Sequence, residues 1–221
     1  MNLNKMYGYL TPDTDLNFNI IGCGAIGSNV AENITRLGYT NITLYDFDTV
    51  SPHNITNQNF TSEDINKNKT ECLKEYLLKI NPEAEITIKG KYIDQNLSGV
   101  VILAVDNIET RKTIVEKNTG NPYIKYWIDF RMGLTEAQTF FISNTPKENE
   151  WLLKTMDFSH EEATENTPVS PCGTTLNVVT TVKTICALGT QNLINAELSK
   201  PIYNLVLINQ NNFNFTKINI R

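Results

Sequence analysis

The most constraining feature of the chain is a glycine-rich turn wedged between a strand pattern and a helix pattern. Gly22-Cys23-Gly24-Ala25-Ile26-Gly27 has the spacing G-x-G-x-x-G and follows directly on the short strand segment 17–21. The first glycine permits the tight turn, the second lets backbone approach a phosphate, and the third lets helix and strand pack closely. Residues 28–37 read as the helix, with Ala25, Val30, Ile34 and Leu37 near one face and Gly38 as its stop signal. The N-terminus of such a helix presents free N–H groups and the positive end of a dipole to an anion. A second strand at 42–45 ends on Asp46, placed to accept hydrogen bonds from a ribose hydroxyl. A tight turn that binds nothing is the alternative, and the strand–helix context argues against it.

The rest of the pattern extends this unit into a sheet. A polar loop at 49–62 leads to a helix over 63–80, with Leu73, Leu77 and Ile80 on its buried side and Pro82 beyond its end. Strands are expected at 84–88 and 100–105; the latter is an unbroken apolar run, as in a strand covered on both faces. A helix at 108–117 and strands at 123–128 and 136–141 follow. From 143 to 171 the periodicity fails and Asn, Glu, Thr and Pro dominate, which predicts a long exposed loop. A long helix over 174–198 and a hairpin of strands at 205–208 and 213–220, turning at Gln210-Asn211-Asn212, close the chain. The fold class is therefore α/β: a Rossmann-like doubly wound, mainly parallel sheet with C-terminal antiparallel strands.

Composition narrows the class of partner. The 221 residues fit one large domain. Nineteen basic against 24 acidic side chains give a net charge of −5, which excludes nucleic acid as the main partner, because phosphate contacts need clustered Lys and Arg. No apolar run approaches the roughly 20 residues of a membrane helix, so no membrane partner is expected. Met1-Asn2-Leu3-Asn4-Lys5 lacks the basic-then-apolar profile of a secretion signal, and a cytoplasmic location is the expectation. Cys23, Cys72, Cys172 and Cys186 form no C-x-x-C pair and only His53 and His160 accompany them, so no zinc is expected.

Beyond the glycine turn, several separated motifs keep a fixed order. Asp46-Phe47-Asp48-Thr49-Val50 runs into Asn54 and then Asn57-Gln58; Lys69 follows; and Asp106-Asn107-Ile108-Glu109-Thr110-Arg111 comes after the fourth strand. This series resembles the ThiF/MoeB/HesA family, bacterial relatives of the ubiquitin-activating enzymes, over about residues 17–142, with a looser match in the helix after Cys172. The resemblance implies a single adenylation domain over 1–221, with a nucleotide-binding core at 17–142, a crossover loop at 143–171, and a C-terminal helix and strand hairpin at 172–221. It implies ATP and Mg²⁺ as cofactors, and a homodimer that adenylates the free C-terminus of a small ubiquitin-like protein or peptide. Gly22, Gly24, Ala25, Ile26 and Gly27 would line the phosphates and Asp46 would bind the ribose. Asp48, Asn54, Asn57 and Gln58 would lie beside the nucleotide, Lys69 would neutralise phosphate oxygens, and Asp106, next to Asn107, would hold the metal. The chemistry is consistent, since a hard cation takes a carboxylate together with phosphate oxygens. Taken singly, Asp106 also suits a helix N-cap, and Lys69 a solvated helix face.

The chain departs from the family pattern at Asn57, where the family has an arginine that meets the phosphates. A neutral amide has neither the charge nor the fork of donors. Of the remaining arginines, Arg36 lies late on the first helix, Arg111 would brace Asp106 or the sheet edge, and Arg131 is the preferred substitute for the missing cation. Ser170-Pro171-Cys172-Gly173-Thr174 lies where some family members carry an acyl-accepting cysteine, and a thiol at a helix N-terminus is activated; a Cys-Gly turn packed under the loop is the plainer reading. Trp151-Leu152-Leu153 would give the crossover loop an apolar anchor for a peptide tail. A catalytically weak relative that binds nucleotide or a partner is the alternative function. A nicotinamide-dependent oxidoreductase would leave Asp48, Asn54, Gln58, Lys69 and Asp106 without a purpose.

Overall fold

The computed structural model describes residues 3, 5, 6, 8–165, 168, 169 and 176–220. Strand β1 (Phe18–Ile21) leads into helix α1 (Ala25–Arg36), and β2 (Asn41–Tyr45) into α2 (Lys69–Ile80). Next come β3 (Glu85–Lys89), β4 (Gly99–Leu103), α3 (Ile108–Lys117), β5 (Ile124–Met132) and β6 (Glu136–Ile142). Helices α4 (Pro146–Lys154), α5 (His160–Glu165) and α6 (Val179–Glu197) precede β7 (Leu205–Asn209) and β8 (Asn214–Ile218). The strands form one eight-stranded sheet in the order β3-β2-β1-β4-β5-β6-β7-β8. The first five in that order pair in parallel and the last three join antiparallel. No described helix is long and apolar enough to cross a membrane.

Strand alternation sorts the core onto two faces. Phe18 and Ile20, Val100 and Ile102, and Ile128 and Phe130 pack with Val30 and Ile34 of α1, Leu73 and Leu77 of α2, and Val182 and Ile185 of α6. The opposite side chains, Ile21, Val101, Leu103 and Trp127, pack with Ile114 and Val115 of α3 and with Leu152 of α4. Asp129 occupies this second face of β5 and is completely buried.

Several boundaries differ from the sequence expectation; β5, for one, runs on past 128 to Met132. Helix α1 begins at Ala25, inside the glycine motif, with Gly24 as its N-cap. The stretch expected to be helical from residue 63 opens instead with a 3₁₀ turn, Ser62–Asp64, in which Asp64 Oδ2 accepts from Thr61 N (2.7 Å) and Oγ1 (2.9 Å). Such local bonds offer backbone an alternative to the helix, and α2 starts only at Lys69. The segment expected as loop from 143 carries α4, capped by Thr145, whose hydroxyl accepts from Glu148 N and donates to Glu148 Oε2, with Pro146 at its first position. Its Trp151-Leu152-Leu153 is not an exposed anchor: Leu152 is fully buried and its two neighbours pack against the same cluster. Helix α6 begins at Val179.

Candidate functional site

Strand order reverses between β1 and β4, so the crevice outside their carboxyl ends is the ligand position of an open α/β sheet. The glycine turn is built into that crevice. Gly22 has φ +94°, donates its N–H to Tyr45 O (2.8 Å), and a Cβ there would lie 2.7 Å from Ala104 O. A Cβ on Gly27 would lie 1.8 Å from Gly22 O, so the helix closes directly onto the turn. Gly24 is different: the nearest atom to a Cβ is Gln58 Nε2 at 4.0 Å. Packing of the fold requires Gly22 and Gly27, whereas at Gly24 the space is open. No side chain caps α1, and its internal bonding starts with Ser28 N–H to Gly24 O (3.0 Å), which leaves the amides of Ala25, Ile26 and Gly27 as first-turn donors.

Asp46, off the end of β2, ties the turn down. Its Oδ2 accepts from Cys23 N (2.7 Å) and its Oδ1 from Asp48 N (2.8 Å). Each oxygen keeps a lone pair for a ribose hydroxyl. Residues 48–50 then pair back on 66–69: Val50 N donates to Lys67 O (2.8 Å), Asn66 N to Val50 O (2.8 Å) and Lys69 N to Asp48 O (3.0 Å). That pairing seats Lys69 at the head of α2, where its side chain is 9% exposed and its ammonium meets Asp48 Oδ2 at 2.9 Å. Asp48 is half exposed. The Cys23 thiol is pushed well up by burial and by Asp46, with Lys69 opposing.

The loop after β2 is strapped to α1. Asn54 is a turn cap, its Oδ1 accepting from Ser51 N (2.9 Å) and Oγ (3.0 Å). Asn57 is buried and its carbonyl accepts from Asn29 Nδ2 (3.1 Å). Gln58 Oε1 and Asn29 Oδ1 are buried acceptors with no partner among the described residues.

On the other flank, Asn107 caps α3, its Oδ1 accepting from Thr110 N (2.7 Å) and Oγ1 (2.9 Å). The cap is therefore not Asp106, and the Asn107 side-chain oxygen is committed to the helix. Asp106 itself stands exposed just beyond β4. Arg111 braces the sheet edge rather than the Asp106 carboxylate itself: it donates to Leu103 O (3.1 Å), to Val105 O and to Asp129 Oδ1. Arg131 is not a free substitute for the arginine absent at position 57. Its Nε holds Asp129 Oδ2 (2.7 Å), its Nη1 and Nη2 hold Thr155 O (2.7 Å) and Oγ1 (2.9 Å), and it stacks 4.3 Å over Phe140. Burial lowers its pKa, with Asp129 opposing. Asp129 escaped the sequence reading; its signal was a lone acid inside the apolar run Trp127-Ile128-Asp129-Phe130. Cys172 lies outside the described residues.

Lys69 with Asp46 and Asp48, and Asp106 beyond β4, thus lie on the same carboxyl edge of the sheet, flanking the glycine turn. Among the described residues no three or more His, Cys, Asp or Glu side chains gather to hold a metal. The donor set still fits Mg²⁺, an ion bound by one or two carboxylates together with substrate phosphates and water. Turn amides, a buried ammonium and an open Gly24 fit a polyphosphate.

The sequence pattern of the ThiF family matches residues 14–221. Ubiquitin-like modifier-activating enzyme 5 of Dictyostelium discoideum is 36% identical over 98 residues, which are 44% of this chain and 23% of that protein. Molybdopterin-synthase adenylyltransferase of Haemophilus influenzae is 33% identical over 103 residues, 43% of this chain and 42% of that protein. The chain spans less than half the length of these curated relatives. The structure of E. coli MccB with ATP superposes with a TM-score of 0.74 at 19% identity, covering 93% of this chain and 64% of that one. PaaA superposes with a TM-score of 0.73 at 15% identity, covering 94% and 64%. These two likenesses show a shared fold. With the family pattern running through nearly all of it, from before β1 to its last residue, the chain belongs to the ThiF family.

Proposed function

We propose that the chain is an ATP- and Mg²⁺-dependent adenylyltransferase that activates the C-terminal carboxylate of a small ubiquitin-like protein or peptide. The observation that carries this reading is the buried Lys69 ammonium and the exposed Asp106 carboxylate on either flank of the glycine turn, at one edge of the sheet. Relatives named as modifier-activating enzymes and as a molybdopterin-synthase adenylyltransferase, and a like-folded protein solved with ATP, support it. In the reaction, a carboxylate oxygen attacks the α-phosphorus, an acyl-adenylate forms, and the bond to the β-phosphate oxygen breaks to release pyrophosphate. Lys69 exchanges Asp48 for phosphate oxygens, the amides of α1 take further phosphate charge, and Asp46 orients the ribose. Asp106 would hold Mg²⁺, which supplies charge compensation on the phosphates. Catalysis of this kind is positioning and electrostatics. A homodimer, a cytoplasmic setting and onward transfer of the acyl group to Cys172 belong to the same proposal.

Asn57 favours a second reading, a relative that binds nucleotide without turning it over. Two measurements separate the readings. Calorimetric titration with ATP and MgCl₂ is expected to show binding, and NADH none; tight NADH binding without ATP binding overturns the proposal. ATP–pyrophosphate exchange stimulated by a synthetic peptide with a free C-terminus supports turnover, whereas ATP binding with no exchange against any such peptide favours the binding-only relative.

A further inference from the structure

We infer that Asp129 is a positioning residue for Asp106: it holds the Arg111 guanidinium so that Arg111 fixes the stretch of chain that carries Asp106. This rests on the metal role proposed for Asp106. Asp129 is 0% exposed on β5, on the face covered by α3 and α4, and its two oxygens are held separately. Oδ1 meets Arg111 Nη1 and Oδ2 meets Arg131 Nε at 2.7 Å.

Arg111, itself buried, extends this contact to the site. Its Nη1 also donates to Leu103 O at 3.1 Å and its Nη2 donates to Val105 O. Leu103 is the last residue of β4, and Ala104 still donates to Ile21 O (2.9 Å). Beyond that the chain leaves the sheet, and the guanidinium on Val105 O holds the peptide unit that runs into Asp106. A rigid planar fork with five donors serves two carbonyls and a carboxylate from fixed directions, which a compact ammonium with three rotating donors does not reproduce. Arg131 fixes Asp129 from the other side and is itself anchored on Thr155 at the end of α4. A buried ion cluster is weak evidence for stability, since apolar side chains of equal volume often do as well, although removing one partner alone leaves an uncompensated buried charge. What the cluster adds is a fixed direction for Arg111.

The test is the Mg²⁺ dependence of ATP binding, read by calorimetry across a MgCl₂ series and in EDTA, with Mn²⁺ binding read by electron paramagnetic resonance. Asp129→Asn keeps the shape and removes the charge. We expect its ATP affinity in EDTA to stay within about twofold of wild type while the half-saturating metal concentration rises about tenfold or more. In an Asp106→Ala background, Asp129→Asn should shift the metal dependence no further, because a residue acting through another is not additive with it. Arg111→Lys, which keeps a charge opposite Asp129 without the fork, should show the same selective shift and serves if Asp129→Asn does not fold. Wild-type metal dependence in a folded variant overturns the inference. So does equal loss of affinity with and without metal, additivity with Asp106→Ala, or unfolding of both variants. If instead the wild-type chain binds no ATP with MgCl₂, or Asp106→Ala keeps full metal dependence, it is the metal reading of Asp106 that fails.

Discussion

At the scale of single residues, the three turn glycines separate fold from ligand. Gly27→Ala drives a methyl into Gly22 O and is expected to prevent folding, seen as loss of a cooperative melting transition. Gly24→Ala has room for the methyl, but its backbone (φ −79°, ψ −145°) lies outside the regions ordinary residues favour, so it should cost about 1–3 kcal/mol and still fold, while ATP titration shows a large loss of affinity. Equal destabilisation by both would remove the ligand argument at Gly24. Lys69→Met should weaken ATP binding roughly 10- to 100-fold, the size of one charge-assisted hydrogen bond. Its former partner Asp48 is half exposed and water can solvate it. The glycine spacing, Asp46 and the Lys69 motif were legible beforehand because each is set by neighbours close in sequence. The Arg111–Asp129 and Arg131–Thr155 contacts were not, since they arise only through the pairing of β4 with β5 and the docking of α4, whereas Arg131 and Asp129 are neighbours on one face of β5.

At the scale of elements, α4 shows how a polar composition conceals a buried face. Thr145-Pro146 and Glu148 spell a helix start, yet the Asn, Glu and Thr around it read as loop. Leu152 is the side chain that fastens this helix to the sheet. Leu152→Ala should cost about 2–5 kcal/mol, read as a lower urea midpoint at unchanged slope. A peptide anchor at that position would instead have given an exposed residue and a mutation neutral for stability. Asn107→Ala removes the α3 cap and should cost about 1 kcal/mol. Replacing Asp106 should leave the cap intact.

For the whole molecule, burial of ionisable groups sets the alkaline limit of stability. Burial raises the Cys186 thiol; burial, reinforced by Asp46, raises Cys23; and burial raises the Tyr39 phenol, with Glu197 and Asp13 adding to it. All three hold their protons more tightly folded than unfolded. Their contribution is complete below the thiol's ordinary value, 9.0, and is lost as pH rises through the higher folded values. The melting temperature is expected to be flat near about pH 8 and to fall above about pH 9, with Cys186→Ala showing a shallower alkaline fall than wild type. A flat profile to about pH 10.5 would contradict the burial of these groups.

The order of strands and helices, the phosphate turn and the family motifs were determined by the sequence alone, because strand and helix periodicity and turn chemistry act over a few residues. Tertiary structure alone decided which charges remain available at the crevice. It gave the cap of α3 to Asn107 and left Asp106 exposed, drew Arg131 away to α4, and buried Asp129 between two guanidiniums. The Asn107 cap is a local bond that Asp106 could equally have made, but the meetings of Arg111 with Asp129 and of Arg131 with Thr155 depend on how distant elements align, and local pattern carries no record of them.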